Sequence, residues 1–237
     1  MGGKVGAAEQ RRAEGLVRRL TPINERLFAA FYPRLVELSE NAGQRETRRG
    51  LVSQAVGRTL EIGAGHGLNL AHYRESVGEL IITEPSPHMR RRLRRALDAG
   101  APNVGSWSLL HADAQQLPFP DASFDTVVGT YVLCTVPDPA RALAEVARVL
   151  APAGRLLFLE HVRAGEGTLL ARFQDLAELP HRCVAAGCHP NRRTWELIEA
   201  SPLEVERLTF GSQPRALATV RPTIIGSARR PSADDAG

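Results

Sequence analysis

Apolar positions along this chain fall into two rhythms. The first is helical: Ile23, Leu27, Phe28, Phe31, Leu35 and Leu38 recur on one face, behind Thr21 as a cap and Pro22 at the first helical position. A further short helix is expected over Arg45–Val56. The second rhythm begins at Thr59. Thr59–Ile62, Leu80–Thr83, Trp107–Leu110, Asp125–Gly129 and Arg155–Leu159 are short apolar runs, the pattern of buried strands. Helical patterns separate them over Leu68–Arg74, over Pro87–Asp98 behind the cap Ser86, and over Pro139–Leu150 behind the cap Asp138.

Alternation of this kind predicts a mostly parallel sheet with helices on both faces. After Leu159 it changes. Helices over Thr168–Leu179 and Thr194–Ala200 precede two strand-like runs, Leu203–Phe210 and Thr219–Ala228, joined across Gly211–Pro214 and expected to form an antiparallel hairpin at a sheet edge. The expected organisation is an arm with lid helices over 1–45, one α/β domain over 46–230 and a flexible polar tail over 231–237; the chain is expected to loosen from Arg229 onward.

Composition narrows the class. Of 237 residues 43% are apolar and 24% charged, enough for a large core without disulfides or metal. The cysteines, Cys134, Cys183 and Cys188, are odd in number, so a reducing cytoplasm is expected. The net charge is +4, but Lys4 is the only lysine, which reads as compositional bias rather than a nucleic-acid footprint. Arg90–Arg95 wraps most of its helix and reads as a solvated face. No apolar stretch reaches the ~20 residues of a membrane span, and the first fifteen residues lack the apolar core of a secretory signal.

The chemistry gathers where strands end. Leu60-Glu61-Ile62-Gly63-Ala64-Gly65-His66-Gly67 is a strand running into a glycine loop, where a ligand can come against backbone. Dinucleotide enzymes use G-x-G-x-x-G there, but the sixth position is Leu68, which argues against a nicotinamide-dependent oxidoreductase. Glu84 ends the second strand, 21 positions beyond Gly63, where a carboxylate can accept from ribose hydroxyls. A cap on the helix at Pro87 is the other reading. Asp113 follows the third strand; an adenine contact and a turn aspartate are its two readings. All three positions open on one crevice.

The motif Glu61–Gly67, Glu84, Asp113 with Ala114, Phe119–Asp125 and Glu145–Arg155 together resemble class I S-adenosylmethionine-dependent methyltransferases. The match spans about 55–230 and implies a Rossmann-like, mostly parallel seven-stranded sheet with a carboxyl-terminal antiparallel hairpin. Val132–Val136, Glu160-His161-Val162, Gly187-Cys188, Thr194-Trp195 and Val220-Arg221-Pro222 are most similar to the small thiol S-methyltransferases of the endoplasmic reticulum and their bacterial relatives. Those in turn resemble quinone-ring C-methyltransferases and phospholipid N-methyltransferases. The chain departs from the pattern at Ala64, His66 and Ala151-Pro152-Ala153-Gly154, and an amino-terminal anchor like that of the reticulum enzymes is not expected. His66 is expected to face solvent.

The resemblance implies S-adenosylmethionine as cofactor. Gly63, Ala64 and Gly65 would present backbone to its amino-acid portion, beside Glu61 in the same motif. Glu84 would hold the ribose with Pro85 beside the adenine, Asp113 and Ala114 the adenine edge, and Thr130 and Asn69 the methionine end. The expected partner is a small-molecule methyl acceptor, with no nucleic acid and at most peripheral membrane contact. An Asn-Pro-Pro-aromatic signature of nucleic-acid methyltransferases is missing from Gly129–Val132.

A thiol acceptor needs little base assistance, since its unperturbed pKa lies near 8.5; a phenol or ring carbon needs more. His161, just past the fifth strand, is the candidate base, against a purely structural histidine. His181, Cys183, Cys188 and His189 lack the tight spacing of zinc sites, so no metal is expected. Phe28, Phe31, Tyr32 and Leu35 form an apolar helical stripe whose plain reading is packing; the resemblance implies instead a lid over the substrate mouth. A non-catalytic nucleotide-binding protein is the remaining alternative.

Overall fold

The apolar runs become β1 (Gly57–Ile62), β2 (Val77–Thr83), β3 (Ser106–Leu110), β4 (Phe124–Thr130) and β5 (Leu150–His161), and the carboxyl-terminal pair becomes β6 (Glu204–Ser212) and β7 (Pro222–Arg229). The structure, a computed structural model, describes residues 30–34 and 36–232. The expected arm, the cap at Thr21–Pro22, and Ile23, Leu27, Phe28 and Leu35 of the first stripe lie outside the described residues, as do 233–237.

One seven-stranded sheet has the order β3-β2-β1-β4-β5-β7-β6. The first five strands pair in parallel, and β7 runs antiparallel to both β5 and β6. The hairpin is therefore as expected, though its return includes a helical turn at Ala218–Val220 and is longer than four residues. The strand order reverses between β1 and β4, which opens a crevice at their carboxyl ends.

Helix α1 covers residues 30–39, with position 35 outside the described residues, and a widened turn at Glu40–Gln44 leads into α2 (Arg45–Val52). The others are α3 (Pro87–Ala99), α4 (Pro139–Val149), α5 (Leu169–Val184) and α6 (Thr194–Glu199). Their caps follow from the sequence: Ser86 accepts from the Met89 N–H, Asp138 from Arg141 and Thr168 from Ala171.

Side-chain alternation explains why the central strands read as continuous apolar runs. Leu60, Val127, Leu156 and Phe158 join Leu143, Val146 and Ile198 in one core, while Leu80, Val128, Leu157 and Leu159 join Leu51, Leu93 and Leu97 in a second. Both faces are covered, so apolar residues recur at both parities of the central strands.

Four expectations shift. The helix expected over Leu68–Arg74 is a single turn, Leu70–His72, because Asn69 and Tyr73 are both pulled down onto Glu61. The helix from Arg45 ends at Val52 rather than Val56. Strand β3 is a half-exposed edge, since only β2 flanks it. Arg229 and Arg230 are not loose: Arg229 closes β7, and the Arg230 N–H donates to the Gly154 carbonyl at 2.8 Å. Among the described residues no helix is long and apolar enough to cross a membrane.

Candidate active site

The glycine loop leaves β1 and is stitched to the end of β2. Ala64 N–H donates to the Thr83 carbonyl at 2.9 Å, and Gly65 N–H donates to Glu84 Oε2 at 2.8 Å. The other Glu84 oxygen accepts from Ser86 N–H at 2.8 Å. The expected ribose carboxylate and the glycine turn therefore meet.

The three glycines do different work. Gly63, Gly65 and Gly67 all hold positive φ, at 58°, 60° and 97°. A Cβ on Gly63 would stand 2.8 Å from Val132 Cγ2, and one on Gly67 2.8 Å from Leu70 Cδ1, so packing closes those two. At Gly65 a Cβ would meet nothing within 4 Å. That position offers bare backbone to whatever lies beside it, which fits a bound nucleoside-like group.

Beneath the loop lies a polar network sealed from solvent. Glu61 is 1% exposed and accepts from Asn69 Nδ2 at 2.7 Å and from the Tyr73 hydroxyl at 3.0 Å. Asn69 also donates to Thr130 Oγ1 at 3.2 Å. Arg48, 2% exposed, joins both: its Nη1 donates to Asn69 Oδ1 at 2.9 Å and to Thr130 Oγ1 at 3.0 Å. Its other face pairs with buried Glu40, Nη2 to Oε1 at 3.0 Å. Burial raises the Glu61 carboxyl from its ordinary 4.5 to about 7, against the opposing hydrogen bonds from Asn69 and Tyr73.

A second corner forms at the ends of β4 and β5. Tyr131 follows Thr130 directly, holds a positive φ of 61°, and lays its ring on His161 at 4.2 Å between centroids. Its N–H donates to the Leu159 carbonyl at 2.7 Å, and its hydroxyl receives Gln44 Nε2 at 2.6 Å. Below it Glu160, fully buried, accepts from the N–H groups of Val132, Leu133 and Cys134 at 2.9–3.0 Å. His161 Nε2 lies 2.8 Å from Gln213 Oε1, and its Nδ1 faces the sulfurs of Cys134 and Cys188, each at 3.7 Å.

A methyltransferase-domain family matches residues 60–158. The rat thiol S-methyltransferase TMT1B is 31% identical over 169 residues, covering 71% of this chain and 69% of that one. A phosphatidylethanolamine N-methyltransferase of Cereibacter sphaeroides is 34% identical over 125 residues, 50% of this chain and 61% of the relative. Among solved structures, the YcgJ protein of Bacillus subtilis superposes with a TM-score of 0.62 at 20% identity, over 79% of this chain and 100% of that one. The chain is a class I S-adenosylmethionine-dependent methyltransferase.

In this methyltransferase the expected site residues divide by placement. Glu61, Gly63, Ala64, Gly65, Asn69, Glu84 and Thr130 belong to one connected region. Pro85 follows Glu84 on the exposed rim. Asp113 is exposed at the end of β3 and accepts from the Gln115 N–H at 2.9 Å, the geometry of a turn aspartate, with buried Ala114 beside it. His66 does not face open solvent: it meets Tyr32 of α1 edge-on at 5.7 Å, and burial lowers its imidazole to about 4. Tyr32 is thus the described member of the expected lid that reaches the site, whereas Phe31 is 58% exposed.

Arg48 and Gln213 escaped the sequence reading, and Glu160 was named only within the Glu160-His161-Val162 motif, without a role. Arg48 is one of several arginines on an amphipathic helix, and only its burial marks it. Glu160 did carry a signal, an acid at the end of an otherwise apolar strand.

Two outcomes are expected. Arg48→Met strands the Glu40 carboxylate and should cost about 3–5 kcal/mol in urea unfolding, with Glu40→Leu in the same chain returning most of it; strictly additive losses would dissolve the pair. For Glu61 the folded chain keeps a proton that the unfolded chain releases above pH 4.5. Its stabilising contribution is full below that value and is lost as pH rises through about 7. Glu61→Gln should therefore spare the protein a loss of about 2–3 kcal/mol between pH 5 and 8. Parallel pH profiles for the two proteins would place that proton elsewhere.

Proposed function

We infer that this methyltransferase transfers its methyl group to the sulfur of a small-molecule thiol. The observation that carries the reading is the step from Thr130 to Tyr131: consecutive residues touch the polar network under the glycine loop and the sulfur-lined corner around His161. The corner presents a polarizable surface of two sulfurs, an imidazole and an aromatic ring, which suits a soft acceptor atom such as sulfur. The likeness to a thiol S-methyltransferase points the same way. A phenol or quinol would need a base with open access, and His161 Nδ1 faces the two sulfurs instead.

S-adenosylmethionine supplies a methyl group on an electrophilic sulfonium, so the chain's task is binding, alignment and exclusion of water. Gly65 lends backbone to the amino-acid portion, with Gly63 and Ala64 shaping the turn; the Ala64 N–H is already given to Thr83. Asn69 and Thr130 take the methionine end, where the Arg48 guanidinium provides positive charge for a carboxylate and Glu61 fixes the Asn69 amide. Glu84 exchanges its backbone partners for ribose hydroxyls, Pro85 lies by the adenine, and Asp113 with Ala114 meets the adenine edge. Tyr32 and Tyr131 cover the acceptor side, and His161 holds that side in place.

Glu84→Ala should weaken S-adenosylmethionine binding about tenfold or more in calorimetry, through lost charge-assisted hydrogen bonds of roughly 1.5–3 kcal/mol each; unaltered affinity removes the ribose assignment. In a panel of thiols, quinols and phosphatidylethanolamine with labelled donor, the thiols should be methylated preferentially. Transfer confined to a quinol or a lipid amine would overturn the acceptor assignment and leave the donor side intact.

A further inference from the structure

Three distant segments converge on one point in the acceptor corner. Cys134 comes from the turn after β4, His161 from the last position of β5, and Cys188 from the loop after α5. The ligating atoms form a near-equilateral triangle: Cys134 Sγ to Cys188 Sγ is 3.8 Å, and each sulfur is 3.7 Å from His161 Nδ1. All three belong to one cluster able to hold a metal ion.

The size of that triangle suits a metal ion. A tetrahedral zinc ion bonds sulfur at about 2.3 Å and nitrogen at about 2.0–2.1 Å, which sets its sulfurs about 3.8 Å apart and each sulfur about 3.5–3.6 Å from the nitrogen. A disulfide needs the sulfurs at about 2.05 Å. The triangle therefore matches the edges of a coordination tetrahedron and requires almost no contraction.

The surroundings orient the donors as metal sites require. The carbonyl oxygen of Gln213, itself buried, sits 2.8 Å from His161 Nε2, so the ring proton belongs on Nε2 and the Nδ1 lone pair points at the sulfurs. Cys134 is fixed on both sides: its N–H donates to Glu160, and its carbonyl receives the His189 N–H at 2.8 Å. Gly187, at φ 88°, turns the chain so that Cys188 drops onto the other two. Two thiolates and a neutral imidazole balance a divalent cation, so the metal with its three protein ligands brings no net charge into a buried place.

We propose that Cys134, His161 and Cys188 form a three-ligand zinc-class metal site whose fourth position receives the acceptor thiol. Binding releases two thiol protons, and the acceptor enters as a thiolate, losing its own proton to solvent. The fourth-position clause rests on the thiol reading above; the metal site does not. This is not the group His181, Cys183, Cys188 and His189, whose spacing spoke against a metal; only Cys188 of that group takes part.

The test uses the full chain, purified, stripped with chelator and titrated with zinc and with cobalt(II). One equivalent of zinc should bind, and cobalt should show thiolate charge transfer with tetrahedral ligand-field bands. Cys134→Ser and Cys188→Ser should each weaken cobalt binding at least 100-fold while Cys183→Ser keeps it. Gln213→Ala should weaken it about 10- to 100-fold by freeing the imidazole. S-adenosylmethionine affinity by calorimetry reports that each variant is folded. Adding a methylatable thiol should alter the cobalt spectrum. A metal-bound protein that methylates no thiol ends the acceptor reading and upholds the site. Failure to bind either ion, with both thiols free to a thiol reagent or joined as a disulfide, overturns the site whatever the acceptor is.

Discussion

A buried guanidinium holds this enzyme's site together. Arg48 is closed off from solvent, and an unpaired charge there would cost several kcal/mol, so every group around it is constrained to satisfy it. Glu40 answers its charge, Asn69 and Thr130 take its remaining donors, and the Tyr131 ring lies 5.7 Å from its centre. Those partners come from the segment before the sheet, from the loop after β1 and from the end of β4. One cation thereby fixes three separate stretches of chain in register.

The consequence is that the amino-terminal segment is part of the site and not a cover added to it. Glu40 and Gln44 lie on the widened turn between α1 and α2; the first pairs with Arg48 and the second holds the Tyr131 hydroxyl. Gly43, at φ 120°, lets the chain make that turn. The glycine-loop corner and the His161 corner are built differently. Around Gly65 and Ser86 backbone N–H groups meet a carboxylate, which tolerates little variation in geometry. Around His161 the surface is made of side chains from three elements, each set by its own loop.

Much of the architecture was legible along the chain because burial on both sheet faces leaves a strong mark. Five continuous apolar runs became five parallel strands, and the caps Ser86 and Asp138 act where the sequence placed them. The turn after β1 was less legible. Leu68–Arg74 has helical spacing, yet the hydrogen bonds of Asn69 and Tyr73 to Glu61 outweigh local propensity there. On the far side of the sheet, β3 looked as apolar as its neighbours although no strand covers its outer edge.

By itself the sequence determined the layer order, the glycine turn and the carboxylate that meets it, because each depends on residues close together or on a simple period. It named His161 and Cys188 but could not join them to Cys134, nor single out Arg48 among the arginines. Those associations depend on which loops the folded sheet brings side by side. Spacing along the chain carries no information about contacts across 27 or 82 residues until the strands are paired.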